Sequence, residues 1–78
     1  MALKDLIETI AQSLVDDPDG VEVTEIAGDH NSILELRVAP GDIGKVIGKD
    51  GRTAQSIRTI LVAASTKLGR RAQLDILD

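Results

Sequence analysis

Gly48 and Gly51, three positions apart, punctuate the run Val46-Ile47-Gly48-Lys49-Asp50-Gly51-Arg52. Their type and spacing suit chemistry with an anion. Glycine tolerates positive φ and lets another backbone come close, because it has no Cβ. A pair of glycines at the start of a helix brings unpaired N–H groups and the positive end of the helix dipole to one place. Lys49 lies between the two glycines, and Lys45, Arg52 and Arg58 lie near them in the chain.

Other readings of these glycines fail on spacing. A Walker-type phosphate loop needs four residues between its glycines and then Lys-Ser/Thr. Here three residues separate Gly44 from Gly48, and Asp50 follows Lys49. A dinucleotide fingerprint needs Gly-x-Gly, which the chain lacks. Catalysis has no better footing. There is no Cys, the one His (His30) falls in an expected loop, and Ser13, Ser32, Ser56 and Ser65 lack a nucleophile-elbow context. The reading is of a non-enzyme with no cofactor and no metal site.

The elements that must position the loop follow from periodicity. Leu3, Leu6, Ile7, Ile10, Ala11, Leu14 and Val15 recur at three- and four-residue steps, which predicts a helix over 2–16. Pro18 cannot continue it, and Asp17-Pro18-Asp19-Gly20 is turn chemistry. Val21-Glu22-Val23-Thr24 alternates as a strand, with Glu25-Ile26 out of phase as at a bulge or a strand end. Residues 33–38 alternate well, with Leu34, Leu36 and Val38 on one face and Glu35 and Arg37 on the other. A short helix over 41–47 meets the glycines. A longer one over 52–68 carries a stripe of Ala54, Ile57, Leu61, Ala64 and Leu68, with Ile60 beside it and Gly69 as its C-cap. Residues 72–76 alternate as a final strand. The fold class is α+β in the order α-β-β-α-α-β, one domain over 1–78, with a three-stranded sheet carrying three helices on one face.

Composition limits what holds this together. No Phe, Tyr, Trp or Cys is present, so Val, Ile, Leu and Ala must fill the core without disulfide or thiolate metal help. No stretch approaches the roughly 20 apolar residues of a membrane span, and the N-terminus is not a signal peptide. The expectation is a cytoplasmic protein. The net charge of −4 hides an asymmetry. Residues 1–44 carry two bases against ten acids, net −8, whereas residues 45–71 carry seven bases against Asp50 alone, net +6. Local potential steers a polyanion more than the total does, and the basic block contains the glycines.

Gly44-Lys45-Val46-Ile47-Gly48-Lys49-Asp50-Gly51, an apolar segment and then Gly-x-x-Gly between two helices, resembles the signature of KH domains. The element order is similar to the type II arrangement of bacterial KH domains. Arg52-Thr53-Ala54-Gln55-Ser56-Ile57-Arg58 and the overall length resemble the small bacterial single-KH proteins of the KhpA kind. The resemblance implies a single-stranded RNA-binding protein, an RNA chaperone or post-transcriptional regulator, working as a homodimer or with another KH-domain protein. KH domains clamp about four nucleotides with the Gly-x-x-Gly loop against the backbone. Carried onto this chain, the site is Gly44, Lys45, Ile47, Gly48, Lys49, Asp50, Gly51, Arg52 and Arg58. Lys49 contacts phosphate, Lys45, Arg52 and Arg58 give second contacts, and Ile43, Ile47 and part of the 33–38 strand floor a groove for bases, with Arg37 a weaker contact. Without aromatic rings, stacking platforms lose support. Asp50 sets a negative charge in this loop, which helix N-capping would explain. The alternative is a KH fold acting mainly as a protein-interaction module, for which the acidic first half speaks.

Overall fold

The computed structural model describes residues 2–77; Met1 and Asp78, at the ends of the expected 1–78 domain, lie outside the described residues. Helix α1 spans Leu3–Leu14, strands β1 and β2 span Glu22–Ala27 and Asn31–Arg37, helix α2 spans Ile43–Ile47, helix α3 spans Arg52–Lys67, and strand β3 spans Arg71–Ile76. The order α-β-β-α-α-β is as expected. The sheet runs β1-β2-β3, with β1 antiparallel and β3 parallel to the central β2. A parallel neighbour cannot be reached by a hairpin, so α2 and α3 form the crossover between β2 and β3.

All three helices cover one face of the sheet. Val23, Leu34, Leu36, Ala72 and Leu74 point toward them and are buried. Ile7 and Ala11 of α1, Val46 of α2, and Ile57 and Leu61 of α3 close the core from above. Burying an aliphatic side chain of this size contributes about 1.5–3 kcal/mol. The other face carries Glu22, Arg37, Arg71, Gln73 and Asp75, together with Ile26 and Ile33, paired in register.

Three expectations change in detail. No bulge interrupts β1: its register with β2 is continuous from Glu22↔Arg37 to Ala27↔Ser32. The phase holds, and Glu25 therefore sits on the helix-covered side while Ile26 points out. Glu25 is tolerated there because it is paired. Its Oε2 accepts from Ser32 Oγ at 3.1 Å and from Arg70 Nη2 at 3.3 Å, and Arg70 Nη2 also donates to Ser32 Oγ at 2.6 Å. The α3 stripe also ends differently. Ala54, Ile57, Leu61 and Ser65 are the buried positions, whereas Leu68 is left 54% exposed. Ser65 satisfies its hydroxyl on the Val62 carbonyl, 3.0 Å away. Beyond it the chain closes at Gly69 as expected, with Gly69 N–H donating to Thr66 O and Arg70 N–H to Ser65 O, the Schellman pattern.

Helix α1 ends at Leu14, two residues before the expected end at 16. Val15 is extended, and the next two N–H groups go to a side chain far along the chain. Asp16 N–H and Asp17 N–H donate to the two carboxylate oxygens of Asp42, at 3.3 and 3.1 Å. Asp42 is buried, and Lys45 Nζ lies 3.5 Å from it and 3.2 Å from Asp16 Oδ2. Burial works against the charge on Asp42, but the N–H groups of Asp17 and Asp16 and the Lys45 ammonium outweigh it and hold the carboxyl below its ordinary value. The carboxylate thus ties the exit of α1 to the entrance of α2.

A carboxyl lowered in the folded state stabilises the fold above its unfolded pKa and ceases to do so as pH falls through the folded value. Asp42→Ala should therefore lower Tm by about 5 °C or more at pH 7. The gap to the unaltered chain should narrow below about pH 4. Thermal melts followed by circular dichroism across pH would check both; a gap independent of pH would contradict the charged role.

Candidate nucleic-acid interface

The loop between α2 and α3 is built on three consecutive backbone requirements. Helix α2 ends when Gly48 takes φ 76°, ψ 173°, its N–H still donating to Gly44 O at 2.9 Å. Asp50 (φ 58°, ψ 23°) and Gly51 (φ 73°, ψ 12°) are then both left-handed, and Arg52 N–H donates to Lys49 O. Two central residues of that kind, closed by an i to i+3 bond, make a type I′ turn, for which Asp-Gly is a favoured pair. Helix α3 starts directly from this turn, with no side chain capping its N-terminus.

The two glycines have different duties. A Cβ on Gly48 would lie 2.1 Å from Thr53 Oγ1, 2.6 Å from Thr53 Cβ and 2.9 Å from Thr53 N, so the α2 exit presses directly on the first turn of α3. Thr53 is the partner that spacing alone did not reveal. Gly51 faces nothing within 4 Å. Its conformation shapes the turn, and its outer side stays open to whatever approaches the start of α3.

Asp50 is explained here as well. The expectation of an N-cap is corrected: the position before α3 is Gly51, and Asp50 makes no capping bond. Asp50 is instead the one non-glycine residue with positive φ among the described residues, and Asp is among the few side chains that enter that region readily. Its identity follows from the backbone it must adopt.

The structure sorts the other expected residues. Lys49 and Arg52 are exposed beside the turn, and Gly44 is exposed on α2 with open space around it. Lys45 is held by Asp16 and Asp42; its pKa is raised, first through the hydrogen bond and charge of Asp16, and two carboxylates already balance its charge. Ile47 and Ile43 are half-buried and pack on the core. The β2 strand does not floor a groove: Leu34 and Leu36 are fully enclosed, and Arg37 lies on the opposite face of the sheet, away from the helices.

The open groove runs elsewhere, between α3 and β3. One depression of about 280 Å³ is lined by Arg58, Leu61, Val62, Ala72, Gln73 and Leu74. A second, of about 210 Å³, continues over Gln55, Arg58, Thr59 and Val62. Val62, 54% exposed, lines both depressions. Strand β3 is an edge strand, and it bonds β2 through alternate residues, as Arg71 N–H to His30 O and Leu77 N–H to Leu36 O mark. The backbone groups of Ala72 and Leu74 therefore face the groove unpaired by the sheet. Arg58 lies on this flank of α3, not at the loop.

Gly48→Ala and Gly51→Ala should separate these duties. Gly51→Ala meets only the left-handed backbone cost, roughly 1–2 kcal/mol. Gly48→Ala adds displacement of Thr53 and should lose clearly more stability. Urea denaturation midpoints would show it, and equal losses would contradict the assignment.

Comparison with known proteins agrees with this geometry. The model of the KhpA/KhpB KH domain matches residues 4–76. The chain is 55% identical over 75 residues to the RNA-binding protein KhpA of Clostridium acetobutylicum, covering 96% of this chain and 100% of that protein. It is 53% identical over 77 residues to the RNA-binding protein KhpA of Aquifex aeolicus, covering 99% and 98%. Among solved structures, Era in complex with MgGDPNP and nucleotides 1506–1542 of 16S ribosomal RNA superposes with a TM-score of 0.65 at 20% identity, over 95% of this chain and 28% of Era. That likeness is one of fold. With a family model spanning nearly all of it and relatives this similar over their whole length, the chain belongs to the KhpA/KhpB family of KH domains.

Proposed function

We propose that this protein binds single-stranded RNA without catalysing a reaction, its Lys49-Asp50-Gly51 turn holding the backbone and the α3–β3 groove receiving bases. The observation that carries the reading is the open side of Gly51 at the uncapped start of α3, with Lys49 and Arg52 exposed beside it. Unpaired N–H groups and the helix dipole favour a phosphate there. Relatives at 53–55% identity carry the name RNA-binding protein, which supports the same reading. The cellular role is that of an RNA chaperone or post-transcriptional regulator in the cytoplasm. Among the described residues no helix is long and apolar enough to cross a membrane.

One clamp of about four nucleotides binds weakly, so the protein works in pairs, as a homodimer or with another KH-domain protein, where linkage raises effective concentration. Helix α3 supports this. Its flank away from β3 leaves Ile60 46% exposed, and Leu68 adds a 54% exposed aliphatic surface beside Leu3 and Leu6 of α1. A partner bound there would leave the groove free.

Lys49→Asp should weaken binding to labelled single-stranded RNA by about tenfold or more in fluorescence anisotropy, and added salt should weaken the unaltered protein steeply through counterion release. An affinity unchanged in folded Lys49→Asp would overturn the assignment of the loop. Asp50→Asn retains a side chain suited to positive φ and removes the repelling charge. It should leave Tm nearly unchanged and tighten binding by about two- to fivefold.

A further inference from the structure

The two outer strands of the sheet present different edges. Strand β3 borders the α3–β3 groove, whereas the outer edge of β1 meets no other strand. Gly28 N–H donates to Asn31 O in line with the register Glu22↔Arg37 to Ala27↔Ser32, so the even-numbered residues of β1 bond β2. The N–H and C=O groups of Val23, Glu25 and Ala27 therefore point outward, and among the described residues they find no backbone partner. No proline, lysine or bulge, the usual guards of an exposed edge, protects this strand.

The helix-free face of the sheet leads to the same edge. Gln73, Ile33 and Ile26 stand side by side across the three strands. Ile33 is 41% exposed and Ile26 51%. This row is polar at β3 and apolar at β1, where it stops without a neighbour. Glu22, exposed, shares that face and that edge, four residues from Ile26. Residues 16–29 carry six carboxylates and no Lys or Arg. Two of them, Asp19 and Asp29, are exposed just before and just after β1.

From this we infer that the β1 edge accepts a fourth strand from a partner protein, an extended segment with an aliphatic residue and a Lys or Arg four positions apart on one face. Backbone bonds to Val23, Glu25 and Ala27 supply the attachment, and side chains at alternate positions supply the choice. The aliphatic residue extends the Ile33–Ile26 row, and the base meets Glu22. Charge selects this occupant over a second copy of the chain. Pairing β1 with itself would set one carboxylate-rich strand against another, and like charges across a strand pair are destabilising. The inference stands apart from the RNA-binding reading, because β1 and the groove lie at opposite edges of the sheet.

The probes are acetylated, amidated octapeptides, Thr-Lys-Thr-Thr-Thr-Val-Thr-Thr and its reversed sequence, which serve the two strand directions. Matching peptides with Glu in place of Lys are the controls. Each would be titrated to millimolar concentration into isotope-labelled protein, followed by amide chemical shifts and hydrogen exchange. One of the Lys peptides should shift the amides of residues 22–27 most. At saturation it should slow exchange of the Val23, Glu25 and Ala27 N–H groups by about tenfold. Glu22→Lys should weaken the Lys peptide by about two- to fivefold and strengthen its Glu counterpart. Ala27→Pro removes an outward donor and leaves the bonds to β2 in place, so it should lose most of the binding, whereas Ala27→Ser should keep it. Circular dichroism melts would confirm that each variant is folded.

Absence of binding by both Lys peptides would overturn the inference, as would shifts without slowed exchange at the three amides, or unchanged binding in folded Ala27→Pro. Protection of the same amides that rises with protein concentration alone would make a second copy the occupant and overturn it too. Each of these results leaves RNA binding by the loop intact.

Discussion

The contact between Gly48 and the first turn of α3 sets the geometry on which the rest depends. Helix α2 has five residues, too few to hold a direction by its own hydrogen bonds. Its orientation comes from Val46, fully buried beneath it, and from the backbone of Gly48 lying against Thr53. Once that approach is made, the chain must reverse within three residues, and the left-handed pair Asp50-Gly51 achieves it. The exposed turn is therefore a product of close packing behind it. Its preorganisation spares a ligand the ordering cost a floppy loop would impose.

Two polar clusters do in this aliphatic protein what larger side chains do elsewhere. With no aromatic residue to span gaps, the ends of the sheet layer are joined by charge-assisted hydrogen bonds. Asp42 joins the α1 exit to the α2 entrance, and Arg70 joins the α3 exit to β1 and β2 through Glu25 and Ser32. Bonds of this kind are stronger than neutral ones and directional. They fix where the two ends of the crossover sit, so the β2–β3 pairing and the groove beside β3 inherit their register. Exposed ion pairs contribute little on their own. The buried carboxylate of Asp42, with every oxygen answered, is the part that matters.

Much of the fold was legible because local signals agreed with one another. The helical stripe of α1, the alternation of β2 and the Gly69 stop each name one structure, and each is found. The failures share a cause, namely dependence on partners distant in sequence. Glu25 looked out of phase because an inward carboxylate makes sense only once Arg70 is brought to it. Helix α1 stopped short because Asp42, 25 residues past Asp17, takes its next N–H groups. The loop could be located from two glycines, but their separate duties could not, since Thr53 marks Gly48 only in space. The groove was misplaced onto β2 for the same reason: which strand lies at the edge is a property of the pairing β1-β2-β3.

The unequal glycines have an evolutionary consequence. Selection for a folded chain acts on Gly48 whether or not any ligand is bound, because its packing partner is internal. Gly51, facing open space, is held partly by a modest backbone preference that Asn also meets, and in the proposed function by the RNA that docks upon it. A descendant released from binding would be expected to keep the first glycine and let the second drift. In this architecture the first glycine testifies to ancestry, and the second to continued use.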